Sequence, residues 1–317
     1  MAGNDYVTAF APASIGNVAV GYDMLGLAIS GAGDRVSARR VPSKGVSIAE
    51  VRGLDGNIHA ILSNDSAENT ASVAAAALWE AAGQSGGLEL IVRKGVPLQS
   101  GMGSSSASAV AGVVAANALL DAPLDIEALL PFALQGEQVA SAGMHADNVA
   151  PSLLGGLVLC PPALLPRMIR LPTPAGLSSV LLHPELLVNT AESRKKLARG
   201  YSMEQWLTQP GYLAGFMAGI ATNDIELIRE CLQDVIIEPQ RISAVPCFQA
   251  VKDAALQAGA LGSSLSGSGP SLFALCASGI AAKVAIAMEQ ACRGCGYECQ
   301  SWVSSLAAEG AHMENAA

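Results

Sequence analysis

Gly101 and Gly103 stand one residue apart and lead directly into Ser104, Ser105 and Ser106. Glycines at this spacing let the backbone turn where a Cβ would clash, so successive N–H groups can aim into one concavity. The serines open an Ala/Val/Ser-rich stretch over residues 107–120 that reads as a helix. Unpaired N–H groups and the positive end of the helix dipole attract an anion at such a start, and small hydroxyls add ligands without crowding it. Phosphate binding is the chemistry these residues suit. A Gly/Ser turn that only caps a buried helix would have the same composition. A dinucleotide fingerprint needs a third glycine where Ser106 stands, and a P-loop needs a lysine after its second glycine.

Two more Gly-containing segments, residues 14–23 and 266–270, have the composition of tight turns that approach a ligand. Arginine forks onto carboxylates, but residue type alone leaves Arg194 and Arg241 equally suited to surface salt bridges. Taken alone, Arg194 beside Lys195, Lys196 and Arg199 also suits a solvated helix face, and Glu137 suits an ordinary helix surface.

The elements that must position these residues are a mixture of strands and helices without strict alternation, which favours the α+β class. Strands are expected over 7–11, 36–41, 46–51, 88–93, 155–160, 180–183, 261–265, 272–276 and 298–303. Helices are expected over 69–82, 126–135, 194–199, 211–221, 224–233, 246–257 and 281–293, with Asp125 as an N-cap. The Pro-rich run over 161–174 is the best boundary, dividing the chain into domains 1–162 and 163–317. Residues 309–317 read as a frayed tail, and Trp79, Trp206 and Trp302 as core or domain-contact residues.

With 317 residues, 51% hydrophobic and 14% charged, the chain has the make-up of a well-buried two-domain enzyme. A net charge of −9 and the lack of basic runs interleaved with aromatics exclude a nucleic-acid partner. No secretory signal is evident over residues 1–10, and no apolar run is long enough for a membrane span, so a cytoplasmic location is the expectation. Seven cysteines read as reduced thiols; Cys292, Cys295 and Cys299 lack a fourth ligand at a zinc spacing.

The run from Pro97 through Ser106 resembles the P-x-x-x-G-L-G-S-S-A phosphate loop of the GHMP kinases (galactose, homoserine, mevalonate, phosphomevalonate), with Met102 for leucine and Ser106 for alanine. The order of the three Gly-containing segments matches that family's layout. His145-Ala146-Asp147-Asn148-Val149-Ala150-Pro151, residues 189–194 and Glu238-Pro239-Gln240-Arg241 resemble its homoserine-specific branch. The resemblance implies an N-terminal domain like the second domain of ribosomal protein S5, a ferredoxin-like C-terminal domain, and an active site in the cleft between them. It also implies transfer of the γ-phosphoryl of ATP to L-homoserine. A mevalonate-like acceptor, or a silent nucleotide-binding relative, are the alternatives.

Residue by residue, the resemblance assigns nucleotide binding to Asn69, Lys94, Pro97, Ser100, Gly101, Met102, Gly103, Ser104, Ser105 and Ser106. It places Mg²⁺ on Ser105 and Glu137. It puts Asn17, Asp23, His145, Asp147, Arg194, Arg241 and Gly267 around the amino-acid substrate. Asn148 falls near the acceptor hydroxyl and Thr190 near the transferred phosphoryl, both for positioning and charge stabilisation rather than proton abstraction. Some members of the family are homodimers, and no sequence feature here decides that.

Overall fold

The computed structural model describes residues 5–140, 145–188, 190–195, 197–198 and 200–314. Its first half is a mixed sheet built from β1 (Val7–Gly16), β2 (Leu25–Val41), β3 (Gly45–Arg52), β4 (Gly87–Arg93), β5 (Leu157–Leu159) and β6 (Ile169–Arg170). The helices α1 (Thr70–Ala81), α2 (Ser104–Ala118), α3 (Leu130–Ala140) and α4 (Ala146–Leu154) belong with it. Residues 42–44 make a turn but not a hairpin, because β4 inserts between β2 and β3 and pairs with β3 in parallel. A parallel pair needs a crossover, and α1 lies on it. Asn69 starts that helix by accepting the Ala71 N–H at 3.1 Å.

Small residues set the helix spacing. At Gly136 of α3 a Cβ would lie 2.9 Å from the Ala74 Cβ and 3.0 Å from the Ala109 Cβ, so α3 packs directly on α1 and α2. This close approach delivers the next residue, Glu137, to the amino end of α2. The alanine content that marks the sequence is thus a packing device that brings a carboxylate to the phosphate-loop helix.

The second half begins with β7 (Leu177–Pro184) and runs through α5 (Thr190–Lys195), α6 (Met203–Thr222), α7 (Ile225–Cys231), α8 (Glu238–Arg241) and α9 (Phe248–Gln257). Then come β8 (Gly262–Leu265), β9 (Leu272–Ala277), α10 (Ala281–Gly294) and β10 (Cys299–Ser305). Its sheet has the order β10-β7-β9-β8, all antiparallel, which is the ferredoxin-like arrangement the resemblance implies. Buried Val180, Leu272, Val251 and Val284 share one core in this half, whereas Ile15, Leu27, Phe273 and Phe216 share a cluster that joins the two sheets.

Several local expectations change. α6 starts at Met203, eight residues before the expected start, because Pro210 is accommodated inside the helix. Residues 126–129 form a 3₁₀ turn ahead of α3, and Asp125 makes no side-chain cap. Trp206 is 64% exposed rather than core. The expected tail instead returns to the first sheet: β11 (His312–Glu314) pairs with β1, and Glu314 bonds the Arg35 Nε at 2.9 Å. Among the described residues no helix is long and apolar enough to cross a membrane, and no group of three or more His, Cys, Asp or Glu could hold a metal.

Candidate active site

Gly101 and Gly103 both take positive φ, +74° and +68°, and Gly103 is the left-handed N-cap of α2 with no side-chain cap. The glycines are required sterically as well. A Cβ on Gly101 would sit 2.5 Å from the Ser266 carbonyl and 2.7 Å from that of Gly269; one on Gly103 would collide with the Ser14 hydroxyl. The three Gly-containing segments therefore meet. Ser266 Oγ donates to the Gly101 carbonyl at 2.7 Å, the Gly267 N–H to the Gly16 carbonyl at 3.1 Å, and the Ser14 N–H to the Met102 carbonyl at 3.0 Å.

A cleft of about 430 Å³ opens over this junction. Asn17, Asp23, Asn69, Lys94, Ser100, Gly101, Gly103 and Ser104 line it, as do Ser105, Ser106, Glu137, His145, Asp147, Asn148, Arg194, Arg241 and Gly267. Two residues assigned to the nucleotide do not. Met102 is fully buried in the cluster joining the sheets, and Pro97 stands behind the loop, its carbonyl accepting from Ser100 Oγ. Asn189 and the Thr190 side chain lie outside the described residues, as do residues 141–144 ahead of His145.

At the phosphate end, Ser105 Oγ donates to Glu137 Oε1 at 3.0 Å and Ser106 Oγ to Glu137 Oε2 at 2.9 Å. His145 Nδ1 lies 3.6 Å from Oε1. Burial works against the imidazolium, but the Glu137 hydrogen bond and the charge of Asp147 outweigh it, and the His145 pKa is raised. One buried carboxylate with a hydroxyl beside it, next to a helix amino end, fits Mg²⁺, which completes its shell with phosphate oxygens and water.

Lys94 lines the cleft and also has a structural task. Its ammonium bonds Asp34, the Ser104 carbonyl at 2.8 Å and Ser108 Oγ at 2.8 Å, so all three donors are engaged inside the protein. Asp34 also accepts the N–H groups of Gly95 and Val96 at 2.8 and 3.1 Å. This buried pair clamps the entry to the phosphate loop against α2. No nearby sequence signal shows it, since the partners are 60 residues apart. Breaking a buried pair leaves an uncompensated charge and costs about 3–5 kcal/mol. Lys94→Met is therefore expected to lower stability by that order in chemical denaturation. Unchanged stability with weakened ATP binding would return Lys94 to the nucleotide.

The end of the cleft expected to take the acceptor is built on backbone in an unusual conformation. Asn17, Val18 and Ala19 take φ of +68°, +46° and +57° in succession, a region that disfavours branched side chains. This turn aims the Asn17 N–H at Asp147 Oδ2, 3.2 Å away, and the Asn17 amide at the Gly267 carbonyl, 3.0 Å away. Arg241 Nη1 reaches the same carbonyl at 2.8 Å. Asn148 Oδ1 accepts from Ser14 Oγ at 3.1 Å, directly beneath the Gly103 turn.

Asp23 and Arg194, expected to take opposite ends of a substrate, bind one another through two bonds of 2.7 and 2.8 Å. Burial opposes the Arg194 charge, yet the Asp23 pairing raises its pKa; burial lowers that of Arg241. Asp147 is pushed up to about 6, first by burial and then by the charge of Asp23. His145 Nε2, Arg194 Nε and Arg241 Nε are buried without a hydrogen-bond partner. Three donors of this kind around one cleft are suited to an anionic ligand.

The chain matches the GHMP kinases N terminal domain over residues 69–156 and the GHMP kinases C terminal domain over 207–293. It is 44% identical to a homoserine kinase of Xylella fastidiosa (strain M12) over 306 residues, covering 96% of this chain and 93% of that one. To a homoserine kinase of Chlorobium phaeobacteroides it is 41% identical, covering 97% of this chain and 99% of the relative. The crystal structure of homoserine kinase from Cytophaga hutchinsonii superposes with a TM-score of 0.93 at 40% identity, covering 99% of each chain. Two matched domains, near-complete coverage at this identity and a cleft lined by the family's three segments agree: this chain belongs to the GHMP kinase family, on its homoserine kinase branch.

Proposed function

We propose that this protein transfers the γ-phosphoryl group of ATP to the side-chain hydroxyl of L-homoserine, giving O-phospho-L-homoserine for threonine biosynthesis. The observation that carries the reading is the composition of the cleft's acceptor end. Buried Arg241 and half-buried Arg194, each with an unpartnered buried Nε, and two carboxylates, Asp23 and Asp147, converge there, a charge pattern that matches a zwitterion. The internal Asp23–Arg194 pair is a template for it. A substrate ammonium can approach Asp23 and Asp147 while its carboxylate takes the free faces of Arg194 and Arg241.

The amino end of α2, with Ser104–Ser106, would receive the triphosphate of ATP. Ser105 and Glu137 would hold Mg²⁺, which supplies charge neutralisation for the phosphoryl oxygens when bound. Asn148, locked by Ser14 beside the Gly103 turn, would hold the acceptor hydroxyl toward the phosphate end. Phosphoryl transfer has a loose transition state, so alignment and charge stabilisation carry catalysis without an assigned base. A coupled assay of ATP turnover against homoserine, mevalonate, galactose and shikimate tests the function. Preference for any acceptor other than homoserine would overturn it.

Asp147 provides a pH test. Its folded pKa lies above the ordinary aspartate value, so the native state keeps the proton longer than the unfolded chain. As pH rises from about 4 to about 6 the unfolded state ionises first and native stability falls, then levels off. Asp147→Asn removes that penalty and should be more stable than wild type at pH 7.5 but not at pH 4. The same variant should mainly raise the homoserine KM, because an ammonium contact is made in both ground and transition states. Asn148→Ala, which deletes no titrating group, should lower the rate by a similar factor from pH 6 to pH 9. An Asp147→Asn enzyme with normal KM, little kcat and no acidic limb would make Asp147 the base.

A further inference from the structure

Tyr22 lies within the Gly-containing segment 14–23 but is given no role by it, yet its ring serves two cations. The ring centroid lies 5.5 Å from the Arg194 guanidinium carbon and 5.3 Å from that of Arg241. Two like charges gathered at one point repel, and the compensation provided by carboxylate is unequal. Asp23 forks onto Arg194, whereas the hydrogen bond from Arg241 Nη1 goes to the neutral Gly267 carbonyl. An aromatic face has negative potential and attracts a guanidinium within about 6 Å, more strongly where water is excluded. The ring thus supplies to both arginines a neutral, electron-rich surface at the point where they converge.

Its placement follows from the backbone. The left-handed turn over Asn17–Ala19 folds the chain back, with the Gly21 N–H bonding the Asn17 carbonyl at 2.9 Å. Tyr22 emerges from that turn half-buried, one residue before Asp23. Burial and the neighbouring Asp23 charge raise the phenol pKa, so the ring stays neutral.

We propose that Tyr22 is a positioning residue that holds Arg194 and Arg241 together as one carboxylate-binding unit, and thereby sets the preference for an acceptor alcohol bearing a carboxylate. This rests on the assignment of the cleft to homoserine. An aliphatic side chain of similar bulk would fill the space but leave the guanidinium groups to separate.

The test compares wild type, Tyr22→Phe and Tyr22→Leu on homoserine and on 3-aminopropan-1-ol, which keeps the hydroxyl and ammonium but lacks the carboxylate. Tyr22→Leu should raise the homoserine KM by about fivefold or more, as expected for a desolvated cation–π contact. Its kcat and its KM for ATP should stay within about twofold of wild type, and Tyr22→Phe should restore the homoserine KM. The kcat/KM for 3-aminopropan-1-ol should be unchanged by Tyr22→Leu, so the preference for the carboxylate narrows. An unchanged homoserine KM in Tyr22→Leu, or an equal rise in the KM for ATP, would overturn the proposal. Should Tyr22→Leu fail to fold, phenylalanines with one, two and three ring fluorines at position 22 remove charge from the π face at nearly constant shape. A stepwise rise in homoserine KM supports the proposal, and a flat series overturns it. Wild type that ignores homoserine would sink the functional assignment as well, whereas an active wild type with an indifferent Tyr22 series sinks this proposal alone.

Discussion

Glu137→Gln is expected to reduce turnover about a hundredfold or more, because under the proposed assignment charge that grows in the transition state would lose its metal-held counter-charge. The fold should survive. Glutamine keeps the side-chain shape and an oxygen that can accept from Ser105 or Ser106, the two hydroxyls that bond Glu137 in the native protein. Thermal unfolding of the variant separates loss of function from loss of structure. Ser105→Ala should be milder and partly rescued by raising Mg²⁺, since under the proposed assignment it would delete a neutral ligand while the carboxylate stays. The His145 pKa should fall in Glu137→Gln, because the hydrogen bond to that carboxylate is the largest of the contacts that raise it. NMR titration of the ring would read that shift. Full activity of Glu137→Gln at ordinary Mg²⁺ would remove the residue from the site.

Arg241→Ala should lower kcat/KM for homoserine at least about tenfold, since deleting one member of a buried charged contact costs about 2–5 kcal/mol. The KM for ATP should hardly move, as Arg241 lines the acceptor end of the cleft beside Gly267. Arg194→Ala should act in the same direction and also release Asp23 from its two-bond pairing. Arg241→Lys distinguishes charge from geometry. Lysine restores the positive charge without the planar fork, so partial recovery is expected rather than full. Steady-state kinetics with each substrate varied in turn checks all three variants. Normal phosphorylation of homoserine by both alanine variants would refute the acceptor-end assignment.

Much of the phosphate end was legible in the sequence because its determinants are local. A positive φ at Gly101 and Gly103 and a helix start at Ser104 depend on residues within a few positions of one another. The Asn69 cap and the strands flanking the Ser266–Pro270 turn are of the same kind. Met102 and Pro97 show the limit of motif logic: they shape the loop from behind and do not line the cleft. The start of α6 was misplaced because a proline in mid-helix reads as a break until packing holds the helix across it.

The sequence by itself determined the class of chemistry, the three turns that carry it and most of the strands and helices. Each follows from short-range sterics, hydrogen bonding and hydrophobic period. Tertiary structure alone decided which charges face one another. Lys94 is bound to Asp34 across 60 residues, Arg194 to Asp23 across 171, and Glu314 to Arg35 across 279. It also decided that β3 and β4 run parallel, that the C-terminal segment closes the first sheet, and that burial lifts Asp147 toward neutrality. The physical reason is that charge pairing and desolvation depend on distance and burial in space, and neither is encoded in the spacing of residues along a chain.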